Sequence, residues 1–269
     1  MLRKSINILA LLAILLIASC DNYNKILKST DVEVKKEAAK KYYNEGNYYK
    51  ALPLLDELIS IYRGREELEE IYLIYCYAHY GQGNYMVAAY NFKNYYTFYP
   101  NSESAEEAMF MMAKSYYQLS PDYELDQTNT LKAIESLQLF VNAYPGSDKV
   151  EDCNDMIDEL RAKLELKDFV AAKLYMDMES YKAASVSFEN VLESYPDTER
   201  AEYLHFLIVK SNYLLAKNSI LSKQQERYSK TIDAYQELEN KFPESDYLRQ
   251  ASNYYESAMN AVNNKKTSN

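Results

Sequence analysis

The most regularly spaced reactive side chains in this acidic chain are lysines and tyrosines. Lys40, Tyr77, Lys114, Lys173 and Lys210 form one series, and Tyr43, Tyr80, Tyr117, Met176 and Tyr213 form a second, three positions later. The first three members of each series are 37 residues apart, so they fall on equivalent places of a repeating element. Side chains of these types could bind an extended peptide, with ring faces taking its side chains and ammonium groups its carboxylates. The competing reading is a solvated face over which lysine stems lie.

Catalytic chemistry has a poorer supply. The histidines are His79 and His205, and the cysteines are Cys20, Cys76 and Cys153. Cys76 and His79 could share a metal on one helix face, but no second Cys/His pair completes a site. Cys153 lies among acidic residues and reads as an unpaired thiol. Gly81-Gln82-Gly83 lacks the third glycine and preceding strand of a nucleotide-binding loop and reads as a hairpin turn. Forty Asp and Glu guarantee many neighbouring carboxylates on helices, and none stands out as a general acid-base pair. No catalytic residue, metal site or dissociable cofactor is expected. Acidic residues outnumber basic ones by 40 to 30, a net charge of -10 with no basic run, which argues against nucleic acid as a partner.

The elements that carry these residues must be helices. The 269 residues include five glycines, six prolines and no tryptophan, against 29 tyrosines. Average usage would supply glycine at about 7%, and sandwiches, barrels and doubly wound sheets need it at turns and bulges. At the N-terminus Arg3 and Lys4 precede an apolar stretch from Ile8 to Ala18, too short for a span of about 20 residues and read as a secretory signal. It ends Leu16-Ile17-Ala18-Ser19-Cys20, which resembles the lipobox of bacterial lipoproteins. The resemblance implies cleavage before Cys20, diacylglycerol on its sulfur and an acyl group on its amine, the covalent lipid being the only attached group expected. Loss of Arg3 and Lys4 takes the net charge from -10 to -12. Asp21 resembles the inner-membrane retention signal of enterobacterial lipoproteins and stands against outer-membrane placement.

Four blocks repeat along the chain: Tyr99-Pro100-Asn101-Ser102, Tyr144-Pro145-Gly146-Ser147, Tyr195-Pro196-Asp197-Thr198 and Phe242-Pro243-Glu244-Ser245. Each is expected to end one helix and to cap the next, with Ser104 and Glu107 as a capping box after the first. A period this long indicates stacked helical hairpins. Each unit resembles the tetratricopeptide repeat: Gly83, Tyr85, Ala88, Phe92, Tyr95 and Pro100 in the clearest copy, and Ala39, Tyr42, Gly46, Tyr48, Ala51 and Leu55 before it. The third keeps Ala113, Tyr116, Ala133, Leu137 and Pro145 but is interrupted from Ser120 to Gln127. The fourth, with Ala172, Tyr175, Tyr181, Ala184, Phe188 and Pro196, follows an added helix near 149–165. The fifth, with Val209, Tyr213, Tyr228, Tyr235 and Pro243, has a longer connection at 217–226. The expected fold is all-α, a tetratricopeptide-repeat-like helical-hairpin solenoid of about five repeats with a capping helix from Tyr247 to Val262. Its expected divisions are a signal peptide (1–19), the lipidated cysteine and linker (20–30), repeats one to three (31–145), repeats four and five with the added and capping helices (146–262), and a polar tail (263–269).

In tetratricopeptide hairpins the two series of residues face the concave groove, which makes Lys40, Tyr43, Tyr77, Tyr80, Lys114 and Tyr117 candidates for peptide binding. The lipobox, the linker and the interrupted third hairpin, with Leu125-Asp126-Gln127-Thr128, Ala133-Ile134 and Tyr144-Pro145, together resemble the BamD family of outer-membrane assembly lipoproteins. That resemblance implies a scaffold tethered to the outer membrane and facing the periplasm. Its implied partners are a BamA-like barrel protein and the C-terminal signals of unfolded outer-membrane proteins, with accessory lipoproteins open. It assigns the N-terminal repeats to substrate and the C-terminal repeats to the BamA-like contact, for which the region of Lys210, Tyr213 and Arg227 is the candidate. Two other classes stay open: another envelope tetratricopeptide adaptor in secretion, gliding or cell-wall assembly, and a SusD-like glycan-binding lipoprotein, which the chain's length and lack of tryptophan disfavour.

Overall fold

The structure, a computed structural model, describes residues 23–266. Cys20, Asp21 and the apolar segment before them lie outside the described residues. After a helical turn at 23–27, eleven α-helices follow, and there is no strand among the described residues. They are α1 (Val32–Asn44), α2 (Tyr48–Ile61), α3 (Leu68–Gly81), α4 (Tyr85–Phe98), α5 (Ala105–Gln118), α6 (Thr128–Ala143), α7 (Val150–Asp177), α8 (Tyr181–Ser194), α9 (Ala201–Lys217), α10 (Leu221–Lys241) and α11 (Leu248–Lys266). No helix among the described residues is long and apolar enough to cross a membrane. The chain divides between Leu160 and Arg161 into two compact units, with Asp122–Glu124 belonging to the second.

In the first unit the hairpins α1/α2, α3/α4 and α5/α6 stack in order, each helix packing on the next. The small residues the repeat demands are all fully buried: Ala39, Cys76 and Ala113 on the first helices, and Ala51, Ala88 and Ala133 on the second. Large residues fill the space this leaves, with Leu55, Phe92, Leu137 and Phe140 completely enclosed. Each such side chain stabilises the fold by about 1.5–3 kcal/mol relative to exposure. Asp31 caps α1 by accepting from the backbone N–H groups of Glu33 and Val34 at 3.0 and 3.3 Å. Gly46 and Gly83 turn their hairpins at φ +70° and +80°, where a side chain would be strained. Gly81 serves closeness instead: a Cβ there would lie 2.3 Å from the Tyr48 ring.

The second unit repeats the scheme. Ala172, Ala184, Phe188 and Val209 are fully buried between α7, α8 and α9, and α11 packs on α9 and α10. This is the expected cap: Tyr254 and Tyr255 meet Tyr213 and Tyr235 at ring distances of 4.9 and 4.6 Å.

All four aromatic-proline blocks fold alike. The N–H of Ser102, Ser147, Thr198 or Ser245 donates to the carbonyl three residues back, at 3.0–3.1 Å, closing a turn with proline at its second position. The same hydroxyl accepts from the backbone N–H two residues on, at 3.0–3.2 Å, and a helix starts one residue later. The hydroxyl therefore organises the turn before the helix. The Ser104–Glu107 capping box does not form: Ser104 makes no side-chain cap, and Glu107 faces a neighbouring hairpin.

Two further expectations are corrected. The added helix near 149–165 and the first helix of the fourth repeat are one helix, α7, of 28 residues. From Leu164 to Lys173 the chain holds no glycine or proline that would end a helix, and Asp168, the one residue there that could cap a new one, instead accepts from the Tyr195 hydroxyl at 3.0 Å. The connection expected at 217–226 shrinks to Asn218–Ile220 between α9 and α10. The Gln224 amide donates to the Ser219 carbonyl at 3.0 Å and the Arg227 guanidinium to its hydroxyl, so these side chains tie off a short turn.

Candidate functional site

Lys40, Tyr77 and Lys114 lie on α1, α3 and α5, the first helices of successive hairpins. Lys40 Nζ is 2.6 Å from Glu70, and the Tyr77 hydroxyl donates to Glu107 at 3.0 Å. Both contacts span 30 residues, so they are one contact made twice, a repeat apart. Glu107 also meets Lys149 at 3.3 Å, and the Tyr117 hydroxyl donates to Glu159 at 2.5 Å. Burial raises the Tyr77 pKa, with the Glu107 charge and a smaller effect of Tyr43 adding to it. The hydrogen bond to Glu159 leads in pushing Tyr117 up to about 12. Both phenols are held neutral, as hydrogen-bond donors.

The remaining members of the series are less engaged. Lys114 Nζ stands 5.6 Å from the centre of the Phe110 ring, and no carboxylate among the described residues forms an ion pair with it. Tyr43 leans on Tyr48 at 5.9 Å, and Tyr80 meets Tyr85 edge-on at 5.2 Å. These two rings are half-buried. The three hairpins thus present Lys114 and the rings of Tyr43 and Tyr80 as groups open to a ligand, while Lys40 and Tyr77 are engaged by glutamates of the next hairpin and the Tyr117 hydroxyl by Glu159 of α7. Sequence reasoning missed those glutamates, although a signal existed: Glu33, Glu70 and Glu107 share the 37-residue spacing.

In the second unit the two series serve other ends. The Met176 sulfur lies 3.4 Å from the Ser211 hydroxyl, and Tyr213 packs against Tyr228 and Tyr254 at 6.1 and 4.9 Å. Lys173 is exposed, Lys210 is half-buried, and Arg227 is spent on the α9–α10 turn.

Cys76 is fully enclosed in the first unit's core, and burial pushes its thiol well up. Cys153 lies in the same core, pushed up to about 11 by burial first and Asp152 second. Neither thiol is a thiolate near neutral pH. His79 meets Tyr75 edge-on at 4.4 Å, and burial lowers its pKa. Among the described residues no group of three or more His, Cys, Asp and Glu is placed to hold a metal ion.

Residues 31–226 match the family model YfiO, described as "Outer membrane lipoprotein". The chain is 24% identical over 213 residues to the outer membrane protein assembly factor BamD of Caulobacter vibrioides, covering 78% of this chain and 70% of that protein. It is 24% identical over 186 residues to the BamD of Pasteurella multocida, covering 64% and 72%. Among solved structures the P58(IPK) TPR domain is similar at 12% identity and a TM-score of 0.41, covering 87% of this chain and 66% of that one.

Proposed function

The chain belongs to the YfiO family of outer membrane lipoproteins, and on that footing we propose that it is a non-enzymatic, lipid-anchored scaffold for outer-membrane protein assembly. Acylated Cys20 tethers it to the periplasmic face of the outer membrane, where more than one acyl chain gives durable attachment. Its partners are a BamA-like barrel protein, contacted by the second unit around Lys210, Tyr213 and Arg227, and the C-terminal signals of unfolded outer-membrane proteins, received by the first. The observation that supports this most is the family match across residues 31–226, with relatives named as assembly factors.

At the peptide site Lys114 receives the terminal carboxylate, and the rings of Tyr80 and Tyr117 take an aromatic side chain. Lys40 joins by exchange. Its partner Glu70 is more than half exposed, and such a pair is worth about 0–1 kcal/mol, so an incoming carboxylate replaces it at small cost. Binding should weaken as salt is raised.

The test has two arms. Detergent extraction of the full chain should recover a large β-barrel protein with repeated periplasmic domains; recovery of other envelope machinery instead would assign the chain to a different adaptor. A peptide ending in phenylalanine with a free carboxylate should bind at low salt, and Lys114→Ala with Tyr117→Ala should weaken it at least tenfold. Equal affinity in the folded variant removes the groove.

A further inference from the structure

The second unit contains a cleft whose counterpart in the first unit shows what is unusual about it. Helices α4–α6 and α8–α10 form the same module: Phe92 matches Phe188, Ala113 matches Val209, and Phe140 matches Leu238, all completely buried. Ser115 and Ser211 match as well, each hydroxyl donating to the carbonyl four residues back, at 2.6 and 2.7 Å. In both modules a cleft opens over the middle helix between its two neighbours. In the first unit it measures about 240 Å³ and is lined by Lys93, Tyr96, Tyr116, Lys132, Glu135 and Leu139 among others. In the second it measures about 480 Å³. There Glu189 stands for Lys93, Leu192 for Tyr96, Asn212 for Tyr116 and Glu237 for Leu139. Loss of two phenol rings enlarges the space, and the other two exchanges reverse its charge.

Four carboxylates line this larger cleft, from Glu189, Glu193, Asp233 and Glu237, against the ammonium groups of Lys230 and Lys241. Lys241 is engaged by Glu237 at 2.8 Å and approaches His205 Nε2 at 3.5 Å. Asn212 is only 7% exposed, and its amide nitrogen, which opens onto the cleft, has no hydrogen-bond partner among the described residues. Its oxygen faces the Ser185 hydroxyl at 3.0 Å, and that hydroxyl also faces Glu189 at 3.3 Å. A serine has one proton to give. When it goes to Glu189, the amide turns over, its nitrogen donates to Ser185, and its oxygen is left to accept from a group in the cleft. The cleft follows α10 from Lys230 to Lys241, about 16 Å of helix at 1.5 Å per residue, which matches about five residues of extended chain.

We propose that this cleft receives a lysine or arginine side chain of an extended segment of a partner polypeptide, with Glu189, Glu193, Asp233 and Glu237 holding the charge and Asn212 taking an N–H. The length of the cleft favours a polypeptide over a lone small cation, and the carboxylates are not grouped to chelate a metal. The site is independent of the groove in the first unit, and its test leaves Lys114 and Tyr117 intact.

The probe is the capped peptide Ser-Ala-Arg-Ala-Ser, titrated at low salt into the isotope-labelled full chain while the Asn212 side-chain amide is followed by NMR. A saturable shift is expected, at least tenfold weaker for the citrulline peptide, which keeps the shape and loses the charge. Glu189→Lys with Glu237→Leu, the residues found in the first unit, should weaken the arginine peptide at least tenfold with the unfolding temperature unchanged. Should that double variant fail to fold, Glu189→Lys alone, on the exposed rim, carries the same expectation. Equal response to arginine and citrulline, no saturation into the millimolar range, or saturation by calcium chloride without response to the peptide would each overturn the proposal.

Discussion

The first unit repeats itself closely, and the second keeps the same backbone plan while changing what the repeats present. In α3–α4 the hairpin turns on Gly83 at φ +80°; at the matching place between α7 and α8 Glu179 holds φ +58°. The cleft of the first module is narrow and partly filled by Tyr96 and Tyr116, whereas that of the second is twice as large and acidic. The tyrosine series keeps the half-buried rings of Tyr43 and Tyr80 in the first unit, whereas in the second Tyr213 packs under α11 and Met176 against Ser211. Burial fixes the small and large core positions, so they persist in both units. Surface positions answer to no such demand and diverge, so one repeat plan presents two chemically different surfaces.

Three experiments test how far the two modules are equivalent. The largest effect is expected from Phe92→Ala and Phe188→Ala, each of which leaves a cavity at a fully buried site. Both should cost about 3–5 kcal/mol by urea unfolding, and a loss under about 1 kcal/mol in either would show that the two floors do not pack alike. Next, Glu179→Gly and Gly83→Glu should move stability by about 1 kcal/mol in opposite directions, because a side chain at left-handed φ is strained. Shifts of one sign would break the match between the turns. The smallest effect concerns pH. His205, in the place of Met109, has its pKa lowered from 6.5 by burial first and Lys241 second. Its contribution to stability is present above about pH 6.5 and is lost as the pH falls through the lower folded-state value. His205→Met should flatten the decline between pH 7 and 5 in thermal unfolding, and an unchanged profile would assign that decline elsewhere.

Much of the fold was legible in the residues themselves, since Ala39, Cys76, Ala113, Ala172 and Val209 all occupy the enclosed places their spacing implied. The hairpin glycines were equally plain, because positive φ leaves few other choices. Boundaries set by the absence of a signal were harder: nothing in the chain marks an end between an added helix and the fourth repeat, and α7 runs through. Ser104 invited a capping box, but the preceding turn already spends the Ser102 hydroxyl on its backbone N–H. For the sites, the Lys–Tyr series was visible as a pattern, whereas its occupancy by glutamates depends on which helix lies opposite. Asn212 and Glu189 read as ordinary helix residues until folding sets them in one cleft.

The repeated contact between hairpins has ends, and the ends differ. Donors Lys40, Tyr77 and Lys114 and acceptors Glu33, Glu70 and Glu107 are two equal rows displaced by one repeat, like a zip shifted by a tooth. Two teeth close, Lys40 on Glu70 and Tyr77 on Glu107. Glu33, at the start, instead takes the Tyr62 hydroxyl at 3.1 Å. Lys114, at the far end, has no following carboxylate in register, since Tyr144 stands 30 residues on. Its unanswered charge is thus made by the place where the repetition stops, and lengthening the array by one faithful repeat would move the unpaired lysine along with it.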